Sequence, residues 1–333
     1  ATITALLALA LLAITSSRAM SLKSLTRLIA NHGINDKPVI GILTQEISFD
    51  DGWPSNTTYI PSSYVKFIES AGGRVVPIHY THTFEHVAEL MQHVNGILFT
   101  GGDLNLTDPK TGEFHIYTKL ADFIFQKAMQ MNDMGIVFPL WGTCQGHQLM
   151  MLIGSQDPKI IQPTVRWFEP DNLNLDIPKV KRSKLFSDFD EDLLDKLMSE
   201  SLTYNIHNYG VHLADFYNSK SLVDIFEVLA TNLDDDGNEY VSVTEAKQYP
   251  FYTVQFHPER NVFDFGELDV PHEVDAIEMA QLFAERFVED AKKNTNKFNS
   301  YKETVMNLIQ ATGLDTIYPT EFSDEFYFLN DLP

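Results

Sequence analysis

The chain of 333 residues contains one cysteine, Cys144. No disulfide can form within it, so stability must come from a buried apolar core, and the lone thiol is either an inert core side chain or a reactive one. Basic side chains are also scarce. Against 46 Asp and Glu stand 24 Lys and Arg, a formal charge of −22. That deficit excludes the basic footprint that nucleic-acid binding requires, and it suits an anionic membrane surface badly. The same acidity fits a compartment of roughly pH 4–5, where carboxylates begin to neutralise, and it also fits simple solubility. There are no internal repeats and no low-complexity tract. The apolar run Leu6 to Ile14 is too short for a membrane-spanning helix, which needs roughly 20 residues. It has the length of a signal-peptide core, and Ser17-Arg18-Ala19 offers small residues for a cut after Ala19, although no basic residue precedes the run.

These features predict a signal peptide over 1–19 and a polar linker over 20–36, ahead of a main domain over 37–293 and an extension over 294–333 packing on that domain. Passage through the secretory pathway follows, with no stable membrane association once the leader is removed. The sequons Asn56-Thr57-Thr58 and Asn105-Leu106-Thr107 are compatible with glycosylation there.

From Pro38 onward, short apolar runs alternate with helical patterns. Strands are predicted over 38–43, 74–78, 96–99 and 136–140, and helices over 62–71, 84–93, 116–131 and 147–153. Further strands are predicted over 223–229, 240–244 and 251–256, a turn at Asp234 to Gly237, a long helix over 274–292, and a short edge strand at Phe326 to Leu329. The rhythm indicates an α/β fold whose mostly parallel sheet is sandwiched by helices.

At the fourth of these strands the chain reads Trp141-Gly142-Thr143-Cys144-Gln145-Gly146 and then turns helical. Strand, Gly-x-Cys-x-Gly and helix is the pattern of a nucleophile elbow. The flanking glycines remove side chains that would clash in so tight a turn, and the helix aims its positive end at the sulfur. The Gln145 N–H and a second N–H from Gly101-Gly102, at the end of a neighbouring strand, are candidate oxyanion donors. A cysteine nucleophile needs a base, and His257-Pro258-Glu259 follows the strand ending at Phe256. In an extended segment His257 and Glu259 would face the same way, so that the carboxylate could orient the imidazole.

The blocks Lys37 to Glu46, Ser63 to Pro77, Asn95 to Gly102, Phe138 to Cys144 and Val254 to Glu259 resemble the γ-glutamyl hydrolase family, the folylpoly-γ-glutamate hydrolases of the class I glutamine amidotransferase-like superfamily. The resemblance implies a flavodoxin-like sandwich, a homodimer, a lysosomal, vacuolar or extracellular location, a poly-γ-glutamate small-molecule substrate, and no cofactor or metal. It implies Cys144 as nucleophile, His257 as base and Glu259 as its partner, and it suggests His207 as a substrate-site histidine. The chain departs from the family at the elbow helix, where Gln148 stands in place of a carboxylate. An amide there can hydrogen-bond a substrate but cannot take a proton. Two further readings share the elbow: a glutaminase subunit feeding a synthase, for which Gln145 is a mild signal, and a non-catalytic relative that binds γ-glutamyl chains or serves as a structural subunit.

Overall fold

The apolar runs form the centre of an eight-stranded sheet in a computed structural model that describes residues 35–46, 58–266 and 269–312, together with the backbone of 315–317 and 326–329. The expected leader, the linker up to residue 34 and the Asn56 sequon lie outside the described residues. The strands are β1 (Val39–Leu43), β2 (Gln45–Glu46), β3 (Thr58–Pro61), β4 (Arg74–Ile78), β5 (Gly96–Phe99), β6 (Leu140–Thr143), β7 (Gln162–Asp171), β8 (Asn174–Leu175), β9 (Thr203–Gly210), β10 (Phe226–Leu233), β11 (Glu239–Ala246), β12 (Phe251–Val254), β13 (Asp315–Ile317) and β14 (Phe326–Leu329). The main sheet runs β4-β1-β5-β6-β12-β11-β10-β8. Its first five strands are parallel and the remaining three extend it antiparallel.

Both faces of the parallel part are apolar, as a sheet covered on both sides requires. Val39, Leu43, Ile97, Phe99, Leu140 and Phe251 face one core, where they meet the helices Phe84–Leu90, Ile116–Asp133 and Gln145–Ser155. Ile40, Ile42, Leu98, Trp141, Tyr252 and Val254 face the other, under Ser62–Ser70, Glu191–Ser199 and Val274–Ala291. Adjacent residues of one strand thus enter opposite cores, the period-two alternation of a pleated strand. Trp141, fully buried, sits one strand-length below the elbow among Phe67, Tyr252, Phe283 and Phe287, with ring centroids 5.7 to 6.4 Å away.

The structure corrects several boundaries. The expected strand 136–140 forms later, over Leu140–Thr143. The Asn132 side chain bonds both backbone groups of Phe138, the Asn294 amide donates to the Val137 carbonyl, and Pro139 has no N–H to give, so this stretch has little left for a ladder. The elbow helix begins at Gln145 rather than His147. Residues 220–225 are helical, with Leu222 packed on Gly154 of the elbow helix, and β10 starts only at Phe226. The last strand is not an edge of the main sheet. β14 lies inside a separate four-stranded sheet, between β13 and β3.

The elbow accepts no side chain two residues before or after the cysteine. A Cβ on Gly142 would lie 2.6 Å from the Gly146 carbonyl oxygen, and one on Gly146 would run into the carbonyl oxygen of Phe99. Backbone atoms cannot swing aside as a side chain can. Gly146→Ala should therefore cost about 1–3 kcal/mol in urea or guanidinium unfolding. A variant within about 0.5 kcal/mol of the parent, the usual range for a harmless substitution, would show that the turn is looser than described.

Candidate active site

Cys144 caps β6 and the Gln145–Ser155 helix with φ 52° and ψ −107°, a region that non-glycine residues rarely occupy. Holding it there costs of order 1–3 kcal/mol, which the surrounding packing must offset. The Cys144 N–H is tied to the Val254 carbonyl at 2.8 Å, and the sulfur lies 3.8 Å from the Ile206 carbonyl oxygen. Helix geometry leaves the Gln145 N–H, in the first turn, without an intrahelical acceptor.

His257 arrives from the neighbouring strand. β12 ends at Val254, and His257 caps the short helix Pro258–Phe263. His257 and Glu259 are therefore not an extended pair. They meet because the chain turns into a helix at Pro258, and the carboxylate folds back to accept from the His257 Nδ1–H at 2.7 Å. Both are buried, and His257 Nε2 has no hydrogen-bond partner on its side next to Cys144. Burial disfavours the imidazolium, but Glu259 and then the Cys144 sulfur outweigh that cost and raise its pKa to about 9.

Gly101 brings the two halves together. A Cβ added there would stand 2.7 Å from the Tyr64 hydroxyl, 2.8 Å from His257 Cε1 and 3.4 Å from Cys144 Cβ. The Gly101 N–H, expected as an oxyanion donor, is already spent on the Tyr64 hydroxyl at 2.8 Å. Gly102 is the exposed neighbour whose N–H remains as the second candidate; a side chain there would strike the Gln45 amide 2.7 Å away. The Gln145 side chain does not reach into the cavity as a free amide. It clamps the backbone of Leu104, donating to the carbonyl at 2.8 Å and accepting from the N–H at 3.3 Å.

His207 sits on β9, paired with β7, and lines the same cavity. Its Nδ1–H donates to the Thr164 carbonyl at 2.8 Å, and burial lowers its pKa to about 4, so it is neutral at pH 7 and leaves Nε2 as an unpartnered acceptor. Gln148 also lines the cavity, but its amide nitrogen is committed to the Tyr209 carbonyl at 2.6 Å. The cavity holds about 570 Å³, room for a small extended ligand.

Two contributors escaped the sequence reading. Tyr64 lies in the helix expected over 62–71, and its hydroxyl joins Gly101 to His257 Nδ1, 3.3 Å away. Gln45 directly follows Thr44 at the carboxyl end of β1, where ligand sites of parallel sheets gather, and its Nε2 reaches Thr100, Gly101, Tyr117 and Gln145 at 3.2 to 3.4 Å. Its position just past a central strand was the available signal.

A two-sided parallel-sheet sandwich with a cysteine at a strand-to-helix elbow and a His-Glu pair on the next strand's loop defines an α/β protein of the cysteine-elbow class. The Peptidase C26 model matches residues 38–259, and the chain belongs to that family. Gamma-glutamyl hydrolase 1 of Arabidopsis thaliana is 37% identical over 282 residues, 83% of this chain and 78% of its own. Gamma-glutamyl hydrolase of Mus musculus is 34% identical over 301 residues, 90% of this chain and 91% of its own. The glutaminase domain of Trypanosoma brucei CTPS superposes with a TM-score of 0.48 and 14% identity over 79% of this chain and 96% of that one.

The raised His257 pKa fixes the sign of a pH effect. Below the ordinary value of 6.5 the contribution of its proton to folding is fully present, and it is lost as pH rises through about 9. Wild type should therefore lose thermal stability relative to His257→Gln across that window. Parallel melting curves for the two proteins would contradict the assignment.

Proposed function

We propose that this protein hydrolyses γ-glutamyl amide bonds of small poly-γ-glutamate substrates through a thioester on Cys144. The observation that carries the reading is Cys144 at a strained elbow with the buried His257-Glu259 pair beside it, in a chain whose relatives are named γ-glutamyl hydrolases. His257 Nε2 holds the proton of the Cys144 thiol while the sulfur attacks the γ-carbonyl carbon. The N–H groups of Gln145 and Gly102 donate to the oxygen that becomes negative. The C–N bond then breaks and the leaving amine takes the His257 proton. Water attacks the thioester, His257 accepts a proton from it, and the C–S bond breaks to release the acid and regenerate the site. Glu259 acts through His257, holding the Nδ1–H tautomer and stabilising the imidazolium. His207 Nε2, as an acceptor, suits a substrate N–H, whether an ammonium or an amide.

The same reading carries the cellular setting drawn from the sequence: a cleaved leader over 1–19, a linker over 20–36, a hydrolase domain over 37–293 with 294–333 packed on it, delivery to a lysosome, vacuole or the exterior, and a homodimer. Asn294 and Asn296 bond Asn95 beside β5, which supports treating the extension as part of one body. Asn105 is exposed and available to a glycan, though it stands at the cavity rim. Among the described residues no helix is long and apolar enough to cross a membrane.

Cys144→Ala should abolish release of glutamate from a pteroyl-poly-γ-glutamate ladder, with an unchanged circular dichroism spectrum. Near-normal turnover would sink the mechanism. Gln148→Glu is the second test. A carboxylate at that place would face the Tyr209 carbonyl where an N–H now donates, and it would bind its proton more tightly folded than unfolded. The variant should lose stability against wild type as pH rises from about 4 to about 7, and its activity should change about tenfold or more through the lost donor or the added charge. If stability and rate both match wild type across that range, the side chain is free to turn away.

A further inference from the structure

The backbone at Gly101-Gly102 has no side chains to hold it, yet it lies against the reaction centre. A Cβ on Gly101 would stand 3.4 Å from Cys144 Cβ. Two glycines in sequence are the least constrained backbone a chain can offer. In a trans peptide the C=O and the following N–H point in opposite directions. The plane between Gly101 and Gly102 can therefore turn a donor, the Gly102 N–H, or an acceptor, the Gly101 carbonyl, toward a reacting acyl oxygen. The first stabilises a developing oxyanion and the second repels it. What decides between them must lie outside the loop.

Gln45 stands at the right place to decide. It is fully buried in β2, whose pairing with Tyr59 of β3 fixes its backbone. Its Nε2 lies 3.3 Å from the Gly101 carbonyl oxygen and 3.4 Å from Gln145 Oε1. The carbonyl can only accept, and so can Gln145 Oε1, which takes the Leu104 N–H. The Gln45 nitrogen, and not its oxygen, must face them. The flat of the Gln45 amide covers the next glycine: a Cβ on Gly102 would lie 2.7 to 2.8 Å from Cδ, Nε2 and Oε1 alike. Gln45 Oε1 is buried with no hydrogen-bond partner among the described residues, an unfavourable burial that points to a use for the nitrogen end. The preceding peptide plane is held as well, because the Tyr64 hydroxyl takes the Gly101 N–H at 2.8 Å.

We propose that Gln45 is a positioning residue for the oxyanion site: by holding the Gly101 carbonyl from behind, it keeps the Gly102 N–H turned toward the acyl oxygen, with Tyr64 as the second clamp. The inference rests on the hydrolase reading above and names what builds half of its oxyanion site. Gln45 never touches the substrate. It removes the freedom that two glycines would otherwise have, so that the donor is in place before charge develops.

The test measures two reactions of Cys144 in the full-length protein. Hydrolysis of a pteroyl-poly-γ-glutamate puts negative charge on a carbonyl oxygen. Alkylation by iodoacetamide displaces iodide from a saturated carbon and puts none there. Gln45→Met removes the amide at similar length. It should lower kcat/KM for hydrolysis about a hundredfold, the scale of a lost oxyanion donor, and leave the alkylation rate within about twofold with the same pH profile. Gln45→Glu keeps the shape and guards against a variant that does not fold. Only its protonated carboxyl can donate, so its hydrolysis relative to wild type should rise as pH falls from about 8 to about 5. Equal losses in hydrolysis and alkylation would make Gln45 a structural residue and overturn the proposal. So would unimpaired hydrolysis by Gln45→Met, or a flat ratio of Gln45→Glu to wild type. Wild type that is alkylated at Cys144 yet never turns over the substrate would overturn the hydrolase reading, and this proposal with it.

Discussion

The structure depends on a single strained turn. Cys144 occupies a backbone region that few side chains enter, at the point where β6 becomes a helix. The strain persists because what surrounds the turn is rigid. Trp141 locks β6 from below among four aromatic rings, and the glycines on either side of the cysteine let backbone atoms approach to distances that no Cβ allows. The β12 carbonyl of Val254 then fixes the cysteine N–H. Relaxing the turn would shift the sulfur relative to His257, so the packing of two cores is what keeps the sulfur in place.

Around that turn the polar groups form one connected set. Glu259 holds His257, Tyr64 bridges His257 and Gly101, and Gln45 ties Gly101 to Tyr117 and Gln145. Gln145 in turn clamps the Leu104 backbone. Residues that follow the carboxyl ends of β1, β5, β6 and β12 are thereby joined at the edge of the parallel sheet where loops converge, with Tyr64, near the start of the Ser62–Ser70 helix, as a bridge. Electrostatics follows the same division. His257 keeps its proton because a carboxylate and a sulfur face it, and His207 stays neutral because burial dominates there. Two histidines lining one cavity thus take opposite charge states from their surroundings.

Much of this was legible in the sequence for physical reasons. Apolar runs buried on both faces give continuous hydrophobic strands, and the Gly-x-Cys-x-Gly spacing announces a turn too tight for side chains. Contacts that depend on three dimensions were hidden. The helical onset at Pro258 brings Glu259 to His257 by a route that an extended reading missed, although Pro at the first helical position is a known start signal. Gly101 and Tyr64 lie 37 residues apart, so the loss of that amide to a tyrosine hydroxyl could not be read from either. Asn132 and Asn294 capture the backbone of 137–138 in the same way, and an apolar run that looked like a strand became a connection.

The central claim is that Cys144 carries the acyl group during turnover. The direct measurement is an acid quench of the enzyme in the first turnovers of a γ-glutamyl substrate, with peptide mapping by mass spectrometry. The account requires a base-labile acyl adduct on the peptide containing Cys144, with loss of turnover in proportion to alkylation of that thiol. An adduct on another residue, or full activity from enzyme whose Cys144 is quantitatively alkylated, would contradict it.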